Sequence, residues 1–132
     1  MTTLQQVLTT IRQPVLTLAA ATGVPVVIDN SPVPDYFVVW ARVVTTVDSA
    51  ATVQIGDRYR YQGAMTVDIY APRGTGDATV NGTTDLVTLT YRGFRSSSPS
   101  VRVTRCSLVG APVYGDGWSG RSIRVEWTAE VP

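Results

Sequence analysis

The sequence predicts an α+β domain, and three stretches of periodic apolar residues carry that prediction. In residues 4–19 apolar side chains recur every three or four positions and form one stripe along a helix. Residues 58–71 and 122–131 alternate apolar with polar side chains instead, which is the pattern of a strand with one buried face. The 132 residues suffice for a core of their own, so we expect 1–132 to fold as a single domain.

The first helix is expected to begin at a capping box, to bend at a proline and to end at a glycine. Two capping boxes of the form Thr-x-x-Gln are open to it: Thr2 with Gln5, or Thr3 with Gln6. Pro14 interrupts the apolar stripe, and because proline lacks an N–H we expect a kink or a short break there. Gly23, followed by a proline two residues later, ends the element.

Two strands and a loop are predicted between this helix and the strand at 58–71. Residues 24–30 form a short strand that turn-rich sequence closes. A longer strand starts at Tyr36 and has apolar residues on both faces, so we expect it to be central or covered on both sides. The small and polar residues 48–57 predict a mobile loop, which would become ordered only on docking to a partner.

Two positions in the later strands predict local irregularities. Gly63 lies on the apolar face of the strand at 58–71, where a bulge or close packing is expected. In the strand-like stretch that follows residue 100, the apolar parity changes between Val103 and Cys106. A bulge near Arg105 would explain that change.

The segment 77–94 carries conflicting signals. Asn81 and Gly82, flanked by threonine and valine, favour a hairpin with a type I′ turn. Asp77 as an N-cap and apolar residues at helical spacing favour a helix, in which Gly82 would cost about 1 kcal/mol relative to alanine. The residues alone leave both alternatives open and slightly favour the hairpin.

Composition limits the chemistry available to the chain. It has no histidine, no lysine and one cysteine, and all eleven of its positive charges are arginines. A histidine-based triad, a cysteine-rich or histidine-rich zinc site and a Walker-type phosphate lysine are therefore excluded. We expect no enzymatic activity, no cofactor and no metal. The net charge of +1 gives no bulk attraction to nucleic acid or to a membrane surface, and we expect no membrane partner.

The order of these elements and two local motifs resemble the tail terminator proteins of long-tailed bacteriophages, also called tail completion or minor tail proteins. The similarity is clearest in "YRYQGAMTVDIYAPRGTG" (59–76) and "GDGWSGRSIRVEWTAEVP" (115–132). In that family a strand ending in Tyr-x-Pro and a glycine bend leads into a second helix, and a Gly-Trp or Gly-Tyr turn opens the last strand. The resemblance therefore implies a helix at 77–93, although this chain has more threonine there and less alanine than is usual.

The resemblance also implies an architecture and a function. The fold would be a two-layer domain, a mostly antiparallel sheet of four or five strands with both helices on one face, in the order α-β-β-β-α-β-β. The protein would be a structural component of the virion, assembled in the host cytoplasm and located at the head-proximal end of the tail. As a ring, by resemblance a hexamer, it would cap the tail tube, stop tube polymerisation and present a surface for joining to the head–tail connector. The alternatives are another phage structural protein (a head–tail connector or a tail tube subunit) and, with less support, a small nucleotide-binding domain.

The glycine bend after residue 72 is the first candidate site. Arg73 and the glycines at 74 and 76 have the outline of a phosphate loop. However, position 79 is threonine where a full Gly-x-Gly-x-x-Gly loop needs glycine, and Asp77 would repel a phosphate. We interpret the stretch as a structural bend, with Arg73 as a candidate subunit contact.

Arginines on the strands form the second candidate site. Six residues are predicted to contact another subunit or a partner: Arg58, Arg60, Arg73, Arg121, Arg124 and Glu126. Arginine suits such a surface because its guanidinium pairs bidentately with carboxylates. A solvated polar face is the alternative, and acidic neighbours make DNA binding less favoured. Arg92 and Arg95 are candidates for transient proximity to DNA in the lumen of a ring, and Trp118 is expected to pack on the sheet.

Overall fold

The computed structural model describes residues 3–28, 39–53, 58–72, 78–97, 100–110 and 118–131. Within these ranges the chain forms two helices and six strands. The elements are α1 (Leu4–Thr22), β1 (Val26–Ile28), β2 (Trp40–Val53), β3 (Arg58–Pro72), α2 (Ala78–Tyr91), β4 (Arg95–Ser97), β5 (Ser100–Val109) and β6 (Trp118–Val131). Among the described residues, neither helix is long and apolar enough to cross a membrane.

The described strands form one mixed sheet in the order β1-β2-β3-β6-β5-β4. β1 runs parallel to β2, and every other pair of neighbours is antiparallel. The predicted α+β class is confirmed, whereas the predicted count of four or five strands is too low. The additional strand is β4, three residues of the serine-rich segment after α2, which is too short to show an alternating pattern.

Both helices lie on one face of this sheet, and the core lies between the two layers. The sheet contributes odd-numbered residues to it: Ala41, Val43, Met65, Val67, Ile69, Ala71, Val101, Ile123, Val125, Trp127 and Ala129. The helices contribute Val7, Ile11, Val15, Val80, Val87 and Tyr91. Burial of each large apolar side chain stabilises the fold by roughly 1.5–3 kcal/mol. The second predicted capping box starts α1, since Thr3 and Gln6 bond reciprocally through side chain and backbone.

Pro14 lies inside α1, and the helix continues through it, so a break at this position is wrong. A side chain from α2 bridges the proline turn. The Tyr91 hydroxyl donates to the Ile11 carbonyl at 2.6 Å and accepts from the Val15 N–H at 3.1 Å. In a regular α-helix these two backbone groups bond to each other. The buried phenol therefore connects the two helices, and burial raises its pKa well above the ordinary value of 10.0.

β2 extends further than its sequence suggests. It continues to Val53, so the predicted loop at 48–57 is wrong for residues 48–53, and residues 54–57 lie outside the described part of the chain. The first part of β2 is central, as expected, because residues 41–43 pair with β1 on one side and with β3 on the other. Pairing with residues 58–63 of β3 holds the small and polar residues of the stretch 48–53 in an extended conformation that their propensities do not favour.

Gly63 is where the backbone of β2 and a core side chain approach β3 most closely. The register of β2 shifts between Val47 and Ser49, opposite this glycine. A Cβ atom at position 63 would overlap the carbonyl oxygen of Thr46 and would lie 2.6 Å from Cζ2 of Trp127. The predicted close packing is confirmed, and glycine is required because any side chain would displace the partner strand or the ring.

Residues 78–91 form α2, so the hairpin that the residues slightly favoured is wrong and the helix that the resemblance implied is correct. Its threonines bond back to carbonyls four residues earlier, at 2.7 Å from Thr84 to Val80 and 2.9 Å from Thr88 to Thr84. Packing of one face on the sheet stabilises the helix despite weak propensity, since Val80 and Val87 are almost fully buried.

The predicted bulge in β5 is confirmed. Its register with β6 shifts between Val103 and Arg105, after which Cys106 pairs with Val125. Cys106 packs against the core as a half-buried small hydrophobe, and desolvation raises the pKa of its thiol.

Candidate interaction surface

The face of the sheet opposite the helices carries charged side chains from several strands. We call it the outer face and define it by even-numbered residues of β3 and β6: Arg60, Gln62, Ala64, Thr66, Asp68, Tyr70, Ser122, Arg124, Glu126, Thr128 and Glu130. Directly paired residues of antiparallel strands project to the same side of a sheet. By their register, Arg42 of β2 and Arg102 of β5 therefore belong to the outer face as well.

Ion pairs run across the outer face. Nη2 of Arg60 lies 2.7 Å from Oε1 of Glu130 on the neighbouring strand. Arg124 has two carboxylates nearby, with Nε 3.5 Å from Oε1 of Glu126 and Nη2 3.9 Å from Oδ2 of Asp48. These side chains are partly exposed, and such pairs contribute about 0–1 kcal/mol to stability. Their main effect is to orient the arginines over a surface of mixed charge.

A second polar row lies toward one end of the outer face. Oγ of Ser122 donates to Oδ1 of Asp68 at 2.5 Å. Arg42 is opposite Asp68 in the β2–β3 register, and its guanidinium carbon lies 5.8 Å from the ring centroid of Trp40. A cation at this distance from an indole face is attracted by the ring quadrupole. Arg42 therefore lies over the Trp40 ring, in register with Asp68.

An aromatic corner closes that end of the outer face. Trp40 and Tyr70 stack with their centroids 4.6 Å apart, and Trp118 meets Trp40 edge-on at 6.2 Å. Val27 of β1 completes this small second cluster. Offset and edge-on contacts are the favourable geometries for aromatic pairs. The expectation that Trp118 packs on the sheet is confirmed.

Three of the six predicted contact residues meet on the outer face: Arg60, Arg124 and Glu126. Arg58 occupies a position of the same parity on β3, and its side chain is outside the described part, as is the whole of Arg73. Arg121 does not join them. β6 begins at Trp118, earlier than predicted, and the register places Arg121 opposite the core residue Ile69 on the helix-bearing face.

Several charged members of the surface are absent from the predicted set, and strand parity does not indicate two of them, Asp48 and Arg42. Asp48 falls in the stretch that the sequence assigned to a loop, and only the pairing of β2 with β3 brings it to Arg124. Arg42 lies in a strand with apolar residues on both faces, so alternation there does not single out one exposed side. Its spacing of two residues from Trp40 is the one local signal that the two side chains share a face.

Comparison with known proteins shows the fold of this chain. No family model matches it, and neither does any curated protein. Among the solved structures that match it, one superimposes with a TM-score of 0.70 at 21% sequence identity, and the match covers 92% of each chain. At this identity the likeness is one of fold alone.

Proposed function

We propose that this chain is a tail terminator of a long-tailed bacteriophage. It would form a ring on the end of the tail tube, stop tube polymerisation and offer its opposite side to the head–tail connector. The observation that supports this most is α2. The residues of that segment slightly favour a hairpin, and the resemblance to tail terminators implies a helix after the Tyr-x-Pro end of a strand. The chain has that helix, Ala78–Tyr91, six residues after Pro72.

The proposed mechanism is interface matching without chemistry. One side of the ring complements the growing end of the tube, and the other side does not nucleate a further tube ring. A head-to-tail contact between identical subunits closes into a ring when its rotation divides a full turn. The outer face suits a protein partner better than DNA, because Glu126 and Glu130 accompany Arg60 and Arg124 there.

In this mechanism residues 48–53 are not a loop that orders only on docking, because they are part of β2, and residues 54–57 lie outside the described part of the chain.

The proposal is tested with the purified full-length chain and the tail tube protein from the same phage. Light scattering and negative-stain microscopy of the chain alone are expected to show closed rings. Added to polymerising tube protein, the chain is expected to cap tube ends and to halt elongation. Open-ended tubes built from this chain alone would favour the tube-subunit alternative. A chain that stays monomeric at high concentration and leaves tube ends unoccupied would contradict the proposal.

The substitution Arg124→Glu tests whether the outer face takes part in assembly. It places a third carboxylate beside Asp48 and Glu126, so we expect ring formation or tube capping to be lost. The free energy of unfolding should change by only about 1 kcal/mol, because the lost pairs are partly exposed.

Arg121→Glu is the matched control, with the same charge change on the same strand but on the helix-bearing face. Sedimentation and capping assays compare the two variants with the parent chain. Equal assembly by both would remove the outer face from the proposal.

A further inference from the structure

Two strands leave part of one edge without a neighbouring strand in the part of the chain that the structure describes. β1 pairs only with residues 41–43 of β2, so the stretch 46–53 of β2 has a strand partner on the β3 side alone. β4 pairs only with residues 100–102 of β5, so the stretch 104–109 of β5 has a strand partner on the β6 side alone. We call these stretches the β2 edge and the β5 edge.

Both edges lack the features that usually prevent strand addition. An open edge presents a row of N–H and C=O groups, and monomeric proteins often protect it with lysine, proline or several charges. The β2 edge, "TVDSAATV", and the β5 edge, "TRCSLV", contain no lysine and no proline, and each carries one charge. Exposed apolar side chains lie on both: Val47 on the β2 edge, and Leu108 and Val109 on the β5 edge.

We propose that the β5 edge of one copy pairs with the β2 edge of the next copy, joining the sheets of neighbouring subunits into one. The strand directions agree with this. β2 runs parallel to β6 and β5 runs antiparallel to β6, so β5 meets the β2 of a similarly oriented copy as an antiparallel strand. Subunits of a cyclic ring keep one orientation along its axis, which is the condition that this pairing needs.

The charges on the two edges select the head-to-tail arrangement. The β2 edge carries Asp48 and the β5 edge carries Arg105, and both side chains are exposed. Pairing unlike edges brings opposite charges together. Pairing like edges would oppose two aspartates or two arginines and would also end assembly at a dimer. Each edge therefore pairs with the unlike edge of a second copy. That this pairing closes into a ring rests on the proposed function.

Cysteine cross-linking tests the pairing in the purified full-length chain. In a Cys106→Ser background, Val47→Cys is combined with Leu108→Cys and treated with a bifunctional maleimide. Its arm should span several strand residues, each about 3.3 Å long, so that an offset in register does not prevent reaction. A ladder of covalent oligomers is expected on a denaturing gel. Either substitution alone should give monomers, because like edges do not meet.

The control pair combines Val47→Cys with Leu89→Cys. Leu89 on α2 is 64% exposed and Leu108 is 61% exposed, so the thiols are equally accessible. The control pair should give no ladder. A β5-edge variant, Leu108→Lys, should lose oligomers while keeping the circular dichroism spectrum of the parent. Leu89→Lys should keep both the oligomers and the spectrum.

The outcomes separate this inference from the proposed function. Rings that cap tubes without cross-linking at 47 and 108 would overturn the edge pairing and leave the function standing. Cross-linked rings that ignore tube ends would overturn the function and leave the pairing standing. Dimers from a single-cysteine variant would also overturn the head-to-tail pairing.

Discussion

Gly63→Ala is expected to destabilise the fold by about 3 kcal/mol or more, which is at or above the upper end for overpacked cores. The added Cβ would overlap the Thr46 carbonyl, a backbone atom that β2 holds in place by pairing. On its other side the Cβ meets the Trp127 ring, which is 1% exposed and has little space into which to move. Chemical denaturation followed by the fluorescence of the tryptophans measures the change.

Gly82→Ala is the matched control for that substitution. Gly82 lies in the interior of α2, and a Cβ there would have no heavy atom within 4 Å. Alanine should therefore stabilise the chain by up to about 1 kcal/mol through helix propensity. Opposite signs at the two glycines are the expected result. Equal stability of Gly63→Ala and the parent chain would contradict the close approach of β2 and Trp127.

Patterns that depend on one element alone could be predicted from the sequence. The stripe of α1 and the alternation of β3 and β6 follow from side chains facing a single core, so periodicity indicates them directly. The change in apolar parity that predicts a bulge near Arg105 also depends on one strand alone, because a bulge shifts which residues of that strand face the core.

Features that depend on a partner element could not be predicted in this way. The sequence of residues 48–53 predicts a loop, and pairing with β3 makes this stretch a strand. The threonine-rich sequence of α2 favours a hairpin, and burial of Val80 and Val87 against the sheet stabilises a helix instead. The same cause limits the candidate surface. Strand parity correctly predicts that Arg60, Arg124 and Glu126 lie on this surface. Asp48 reaches the surface only because pairing with β3 extends β2 beyond the residues that its sequence indicates.

Tyr91→Phe is expected to destabilise the fold by about 1–3 kcal/mol, the cost of leaving buried polar groups unsatisfied. Phenylalanine preserves the shape of the ring and removes the hydroxyl that bonds to the Ile11 carbonyl and the Val15 N–H. Both groups lie in the turn that contains Pro14, and the side chains of Ile11 and Val15 are buried. Thermal and chemical denaturation measure the loss.

A double-mutant cycle with Pro14→Ala shows whether the loss arises at the proline turn. Alanine at position 14 removes the ring that crowds the preceding turn, so Ile11 and Val15 can bond to each other directly. The Ile11 carbonyl and the Val15 N–H then no longer depend on the hydroxyl of Tyr91. Tyr91→Phe should therefore lower the free energy of unfolding by less in the Pro14→Ala background. We expect a coupling energy of about 0.5 kcal/mol or more. Additive effects would mean that the phenol acts independently of the proline.

The dependence of stability on pH gives a second check on the same side chain. Burial raises the pKa of Tyr91 above the 10.0 of an unfolded tyrosine, so the folded state holds this proton more tightly. The stabilisation is therefore fully present below pH 10 and falls as the pH rises above 10, where the unfolded chain ionises first. The slope is about 1.4 kcal/mol per pH unit for one proton. Above pH 10 the free energy of unfolding of the parent chain should fall with this slope, and that of Tyr91→Phe should lack this contribution. The difference in free energy of unfolding between the two chains should therefore narrow above pH 10. A gap that stays constant would place the hydroxyl in water rather than between the two helices.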